Sequence, residues 1–168
     1  MKRIYLIMLV FIPALLTAQQ NVQLQDGYQQ FRYPNGNISS EGYIRNGKPD
    51  GYWKSYYVTG VLKSEGRRTS FLLDSLWVFY DQAGDTTEKI SYLLGKRNGY
   101  SLKYKKDPVH GIYVFSSELY AGDRKEGLAK IFFPEGKLKQ TIPYSDSKKD
   151  GLSREYDHDG KIITLLEY

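Results

Sequence analysis

Apolar and polar residues alternate in short runs along most of this chain. Runs such as Tyr52-Trp53-Lys54-Ser55-Tyr56-Tyr57 and Leu76-Trp77-Val78-Phe79-Tyr80 are rich in aromatic and β-branched residues. They are punctuated by Pro34-Asn35-Gly36, Val58-Thr59-Gly60, Pro134-Glu135-Gly136 and His158-Asp159-Gly160. The runs predict strands and the punctuation predicts tight turns between them. Glycine reaches positive φ without steric cost, and proline presets a turn's first corner. No sustained helical period occurs beyond the N-terminal apolar run.

The pattern is periodic. Gly27, Gly51, Ser75 and Gly99 are spaced by 24 residues; a longer unit of 28 follows, and Gly127 and Gly151 are again 24 apart. A second glycine lies nine residues into five of six units, at Gly36, Gly60, Gly84, Gly136 and Gly160. Only the unit from Gly99 departs, where Lys105–Gly111 is expected to lengthen the loop. A unit this short cannot bury an apolar face alone and gains a core only by stacking on its neighbours. The fold expected is all-β: an elongated single-layer antiparallel sheet of about six tandem β-hairpins. Roughly twelve strands at ~4.8 Å each make it about 55 Å long.

The links between units carry a resemblance. Glu41-Gly42-Tyr43-Ile44-Arg45-Asn46-Gly47-Lys48-Pro49-Asp50-Gly51-Tyr52-Trp53 resembles the bacterial variant of the MORN repeat, an antitoxin-like family. Leu94-Gly95-Lys96-Arg97-Asn98-Gly99 repeats the link, and Ser147-Lys148-Lys149-Asp150-Gly151 is a weaker copy. The resemblance covers 27–168 as one repeat domain with a shortened last unit. It implies a row of hairpins used for protein or membrane association. Phe71-Leu72-Leu73-Asp74-Ser75 departs from the glycine-rich link.

Strand alternation separates two faces. Counting from the leading glycine or serine, position one holds Tyr28, Tyr52, Leu76, Tyr100, Leu128 and Leu152. Position five holds Arg32, Tyr56, Tyr80, Tyr104, Phe132 and Tyr156. This regular apolar face is expected to be the shared core. The opposite face is aromatic in the first three units and polar in the fourth and sixth. On it, Trp53, Tyr57, Trp77 and Phe79 form the candidate binding strip, since exposed aromatic clusters mark interaction sites. A sheet that buries part of both faces near one end would instead make these residues core.

Charge and chemistry narrow the function. Met1-Lys2-Arg3, an apolar run over Ile4–Leu16 and Thr17-Ala18-Gln19 have the form of a secretory signal peptide, 1–18, followed by a linker, 19–26. The apolar run is shorter than the ~20 residues a spanning helix needs, so no transmembrane segment is expected after cleavage. The location expected is periplasmic or secreted. The net charge is +5, falling to +3 without Lys2 and Arg3, and the charges are interspersed. Nucleic-acid binding would want a basic stripe. There is no cysteine, which excludes disulfides and thiolate metal sites. His110 and His158 stand apart from any ligand cluster. Asp146-Ser147-Lys148-Lys149-Asp150-Gly151 places a lysine where a calcium loop needs an oxygen. No nucleophile elbow or phosphate loop occurs. No catalytic residue, metal or cofactor is expected. The chain reads as an exported, non-enzymatic scaffold for an envelope or secreted protein partner. The alternatives are a wall-glycan module using an aromatic face, and an immunity or antitoxin-like neutraliser.

Overall fold

The computed structural model describes residues 24–168, so the signal-peptide reading lies outside the described residues. Six hairpins follow one another. They are β1 (Gly27–Arg32) with β2 (Ile38–Arg45), β3 (Lys48–Tyr56) with β4 (Leu62–Thr69), and β5 (Leu72–Tyr80) with β6 (Thr86–Leu93). Then come β7 (Lys96–Asp107) with β8 (Gly111–Ala121), β9 (Arg124–Phe132) with β10 (Leu138–Ser145), and β12 (Leu152–Tyr156) with β13 (Ile162–Glu167). The two-residue β11 (Lys148–Lys149) pairs only with β10. All strands join one open antiparallel sheet in chain order. The expected fold class is the one observed.

Successive hairpins are joined by tight links whose two central residues both have positive φ. The pairs are Asn46/Gly47, Ser70/Phe71, Leu94/Gly95, Gly122/Asp123 and Asp146/Ser147. Two left-handed residues in a row make the turn whose twist matches that of the flanking strands. Each link hangs on the one before it: Phe71 N donates to Pro49 O, Gly95 N to Leu73 O, Asp123 N to Arg97 O and Ser147 N to Lys125 O, at 2.7–2.9 Å. The second link holds phenylalanine at φ 79°, a conformation costly for a bulky side chain. Phe71 is exposed and gains only the Arg68 guanidinium 5.4 Å from its ring. Phe71→Gly is therefore expected to stabilise the protein by about 1 kcal/mol, read from urea denaturation; a loss of stability would show that the arginine contact outweighs the strain.

The core lies on the face opposite to the one expected. Position two, not positions one and five, carries the buried residues: Trp53, Trp77, Ser101, Ala129 and Ser153. Trp53 is 6% and Trp77 2% exposed. Position one is open to solvent, with Tyr28, Tyr52, Leu76, Tyr100 and Leu128 between 44% and 60% exposed. Apart from the exposed Arg32, position five is half-buried, Tyr80 included. The physical reason is a volume pairing between strands. The inner row runs Gly42, Trp53, Gly66, Trp77, Ile90, Ser101, Glu118 across adjacent strands. Glycine beside each tryptophan lets the indole lie flat over the neighbouring backbone. A Cβ on Gly42 would run into the Trp53 ring, and one on Gly66 would stand 2.5 Å from the Trp77 ring. Ile44, Leu73, Phe31, Phe79 and Tyr92 close over the two indoles. The aromatic content of this face thus reports packing.

The second half of the sheet is held differently. With Ser101, Ala129 and Ser153 in the inner row, tyrosines on the neighbouring row fill the space. Arg97 lies 4.1 Å over Tyr120, Lys125 5.1 Å over Tyr144 and Lys149 4.1 Å over Tyr168. These cation–π contacts step along the sheet from one hairpin to the next. Lys125 also donates to Glu118 at 2.7 Å, and Tyr120 to the same carboxylate at 2.9 Å. Burial pulls the Glu118 carboxyl up, but the Lys125 ammonium and the Tyr120 hydroxyl outweigh it and hold it below the usual range. Burial, then the bond to Glu118, pushes the Tyr120 hydroxyl to about 12.

The insertion in the fourth unit lengthens the strands rather than the loop. Lys105, Lys106 and Asp107 pair with Tyr113, Ile112 and Gly111, leaving a short turn over 108–110. Asp107 caps that turn, accepting from the Val109 and His110 amides at 2.9 Å.

Candidate interaction surface

The candidate strip resolves into structural parts. Trp53 and Trp77 are core, and Trp77 Nε1 donates to Arg67 O at 2.7 Å. Phe79 packs against Trp77 with ring centroids 6.2 Å apart. Tyr57 stitches hairpin tips together, its hydroxyl donating to Tyr80 O at 2.8 Å, as Tyr33 does to Tyr56 O at 2.7 Å. Trp53 and Trp77 are thus enclosed, and Tyr57 and Phe79 half-buried, so the four do not form the exposed strip expected. His158, in the last hairpin's turn with its side chain two-thirds exposed, joins two tips: it stacks on Phe133 at 3.9 Å and meets Glu135 at 2.6 Å.

A row of exposed apolar side chains lies on the outer face. Each hairpin contributes a cross-strand pair to one row: Tyr28 with Tyr43, Tyr52 with Arg67, Leu76 with Ser91, Tyr100 with Leu119, Leu128 with Pro143, and Leu152 with Glu167. Tyr28 and Tyr43 meet edge to face at 5.4 Å. Large rings and leucines recur in register because the repeat places position one on the same side of every hairpin. The sheet pairing leaves them uncovered.

A charged row runs beside them. Its first part alternates in sign, Glu41, Lys54, Glu65, through direct strand pairs. Tyrosines of position five lean onto its acids: Tyr56 donates to Glu41 at 2.5 Å and Tyr80 to Glu65 at 2.7 Å. The Tyr56 bond, then one from Tyr28, holds the Glu41 carboxyl low. Burial, then the bond to Glu65, pushes the Tyr80 hydroxyl to about 12. Farther along, the row reads Val78, Lys89, Leu102, Ser117, Lys130, Thr141, Arg154, Leu165. Lys89, Lys130 and Arg154 have no carboxylate beside them in the row. Within this row the charges therefore alternate in sign over β2–β4 and are solely basic from β6 onward, with the apolar row beside it throughout.

The sequence held a signal for this assignment. Glu41-Gly42 and Glu65-Gly66 sit one strand before Trp53 and Trp77. A glycine opposite a tryptophan marks close backbone approach and hence the packed face. Among the described residues no group of three or more His, Cys, Asp or Glu could hold a metal ion. No described helix is long and apolar enough to cross a membrane.

Residues 25–46, 49–67, 125–146 and 149–168 match the family model of the MORN repeat variant. The third and fourth hairpins fall between the matched segments, yet they continue the same sheet. No curated protein matches the chain.

Proposed function

We propose that this chain, which belongs to the MORN repeat variant family, is a non-catalytic scaffold of the cell envelope that docks a protein on its outer face. The family supplies the coarse reading, a repeat scaffold for protein or membrane interaction. The observation that carries the finer one is the row Tyr28, Tyr43, Tyr52, Leu76, Tyr100 and Leu128, each more than two-fifths exposed along one face. Tyrosine combines contact area with a hydrogen-bonding tip and low entropy cost, which suits it to anchor a partner. Lys89, Lys130 and Arg154 beside the row favour a partner carrying carboxylates, which would raise association rate and make it salt-sensitive. Export rests on the charged start, the short apolar run and Ala18.

The test is affinity capture from an envelope fraction with the wild-type chain and a Tyr52→Ser/Tyr100→Ser variant. N-terminal sequencing of the mature bait should begin within a residue or two of Gln19. The variant should lose captured protein by about tenfold or more with little change in melting temperature, because both rings are more than half exposed. Unaltered capture would overturn the docking face, and an intact Met1 would overturn export. Retention on purified wall polymer without protein would move the partner from protein to glycan.

A further inference from the structure

The two edges of the sheet are unlike. β1 reads Gly-Tyr-Gln-Gln-Phe-Arg, with polar groups interrupting its apolar positions. β13 reads Ile-Ile-Thr-Leu-Leu-Glu, and every residue of it is exposed. Ile162, Ile163, Leu165 and Leu166 are 45–61% exposed. Its outer edge has no strand partner among the described residues. Natural edge strands are protected by charge, proline or brevity, because open N–H and C=O groups template further pairing.

The charges around this strand say what covers it. Lys161 and Glu167 bracket the segment Lys161-Ile162-Ile163-Thr164-Leu165-Leu166-Glu167, with threonine at its centre. Two copies laid antiparallel about Thr164 bring Lys161 of each opposite Glu167 of the other. The same register sets Ile162 against Leu166 and Ile163 against Leu165. A parallel arrangement would place like charges together, and a two-residue slip would set Glu167 against an aliphatic side chain. Backbone phase agrees. Tyr168 and Gly151 exchange both N–H···O bonds, so the groups of Tyr168, Leu166 and Thr164 face β12. By alternation those of Leu165 and Glu167 face outward. Thr164 then sits on the two-fold axis in a non-hydrogen-bonded pair, the kind that brings Cα atoms to about 4.5 Å. The β-bulge opposite Tyr156 turns the start of the strand, so Lys161 reaches Glu167 through its long side chain. A head-to-tail joint with β1 offers no such match, since in the bulged register of the internal links, where Arg67 pairs with Asp74, Glu167 would face the like charge of Asp26.

We propose that β13 pairs antiparallel with β13 of a second copy, forming a two-fold dimer with one continuous sheet. The wild-type chain should sediment as a dimer at micromolar concentration. Lys161→Glu and Glu167→Lys should each weaken the dimer at least tenfold, and the double reversal should restore it. All these positions are exposed, so far-UV circular dichroism should not change. The chain has no cysteine, so Thr164→Cys should yield one intermolecular disulfide on mild oxidation, as the axial spacing fits that bond. Tyr28→Cys, on the other edge strand, should not. A wild-type monomer at about 100 µM (a weaker association than the strand match implies) would overturn the proposal. So would single reversals without effect, a double reversal without rescue, or growth beyond dimers with concentration.

Discussion

Trp77→Ala is expected to lower the unfolding free energy by about 4 kcal/mol, the range for a buried aromatic truncated to a methyl. In a one-layer sheet a residue only 2% exposed must be covered by its own face. Trp77 is covered by Phe79, Leu73 and the Arg68 guanidinium, 5.1 Å from its ring. Removal would also free the Arg67 carbonyl that accepts from the indole. Urea denaturation measures the loss. Trp77→Phe, which keeps most of the apolar area and loses the N–H bond, should cost distinctly less. A Trp77→Ala protein within about 1 kcal/mol of wild type, an ordinary surface value, would mean that the inner face is not the core.

Gly66→Ala should destabilise by about 2–3 kcal/mol, although alanine is ordinarily the better residue in a strand. Gly66 is not in the left-handed region, so the cost is one of space. The new Cβ would stand 2.5–2.7 Å from three atoms of the Trp77 ring, and the ring is too enclosed to retreat. Coupling provides the check. In a Trp77→Ala background the clash is gone, and Gly66→Ala should become neutral or mildly stabilising through its effect on the unfolded chain. Additive losses would show that the glycine acts through something other than the indole.

The repeat period carried the architecture. Twenty-four-residue spacing, turn chemistry at both ends of each unit and β-rich runs between them were enough to specify six hairpins in chain order. Local rules sufficed because every contact in such a sheet is with the next strand. The faces were another matter. Position one looked like core because it is apolar in every unit, but a repeated apolar residue on an open sheet can equally be a repeated surface. Trp53 and Trp77 looked like anchors because they vary between units; they vary because the packing partner varies, glycine beside tryptophan early in the chain and serine or alanine beside larger neighbours later. The insertion looked like loop because it broke the period, whereas its residues simply extend both strands of β7 and β8.

What the sequence by itself determined was everything set by short-range backbone chemistry: strands, turns, order and antiparallel pairing. It also contained the charge symmetry around Thr164, although only the fold shows that this strand is an edge. The tertiary structure alone decided which side of the sheet is interior. Alternation divides residues into two sets but assigns neither to solvent. That choice depends on volumes meeting across strands: the space above Gly42 and Gly66 admits an indole, and the rings that fill it leave the tyrosine row on the other side in water.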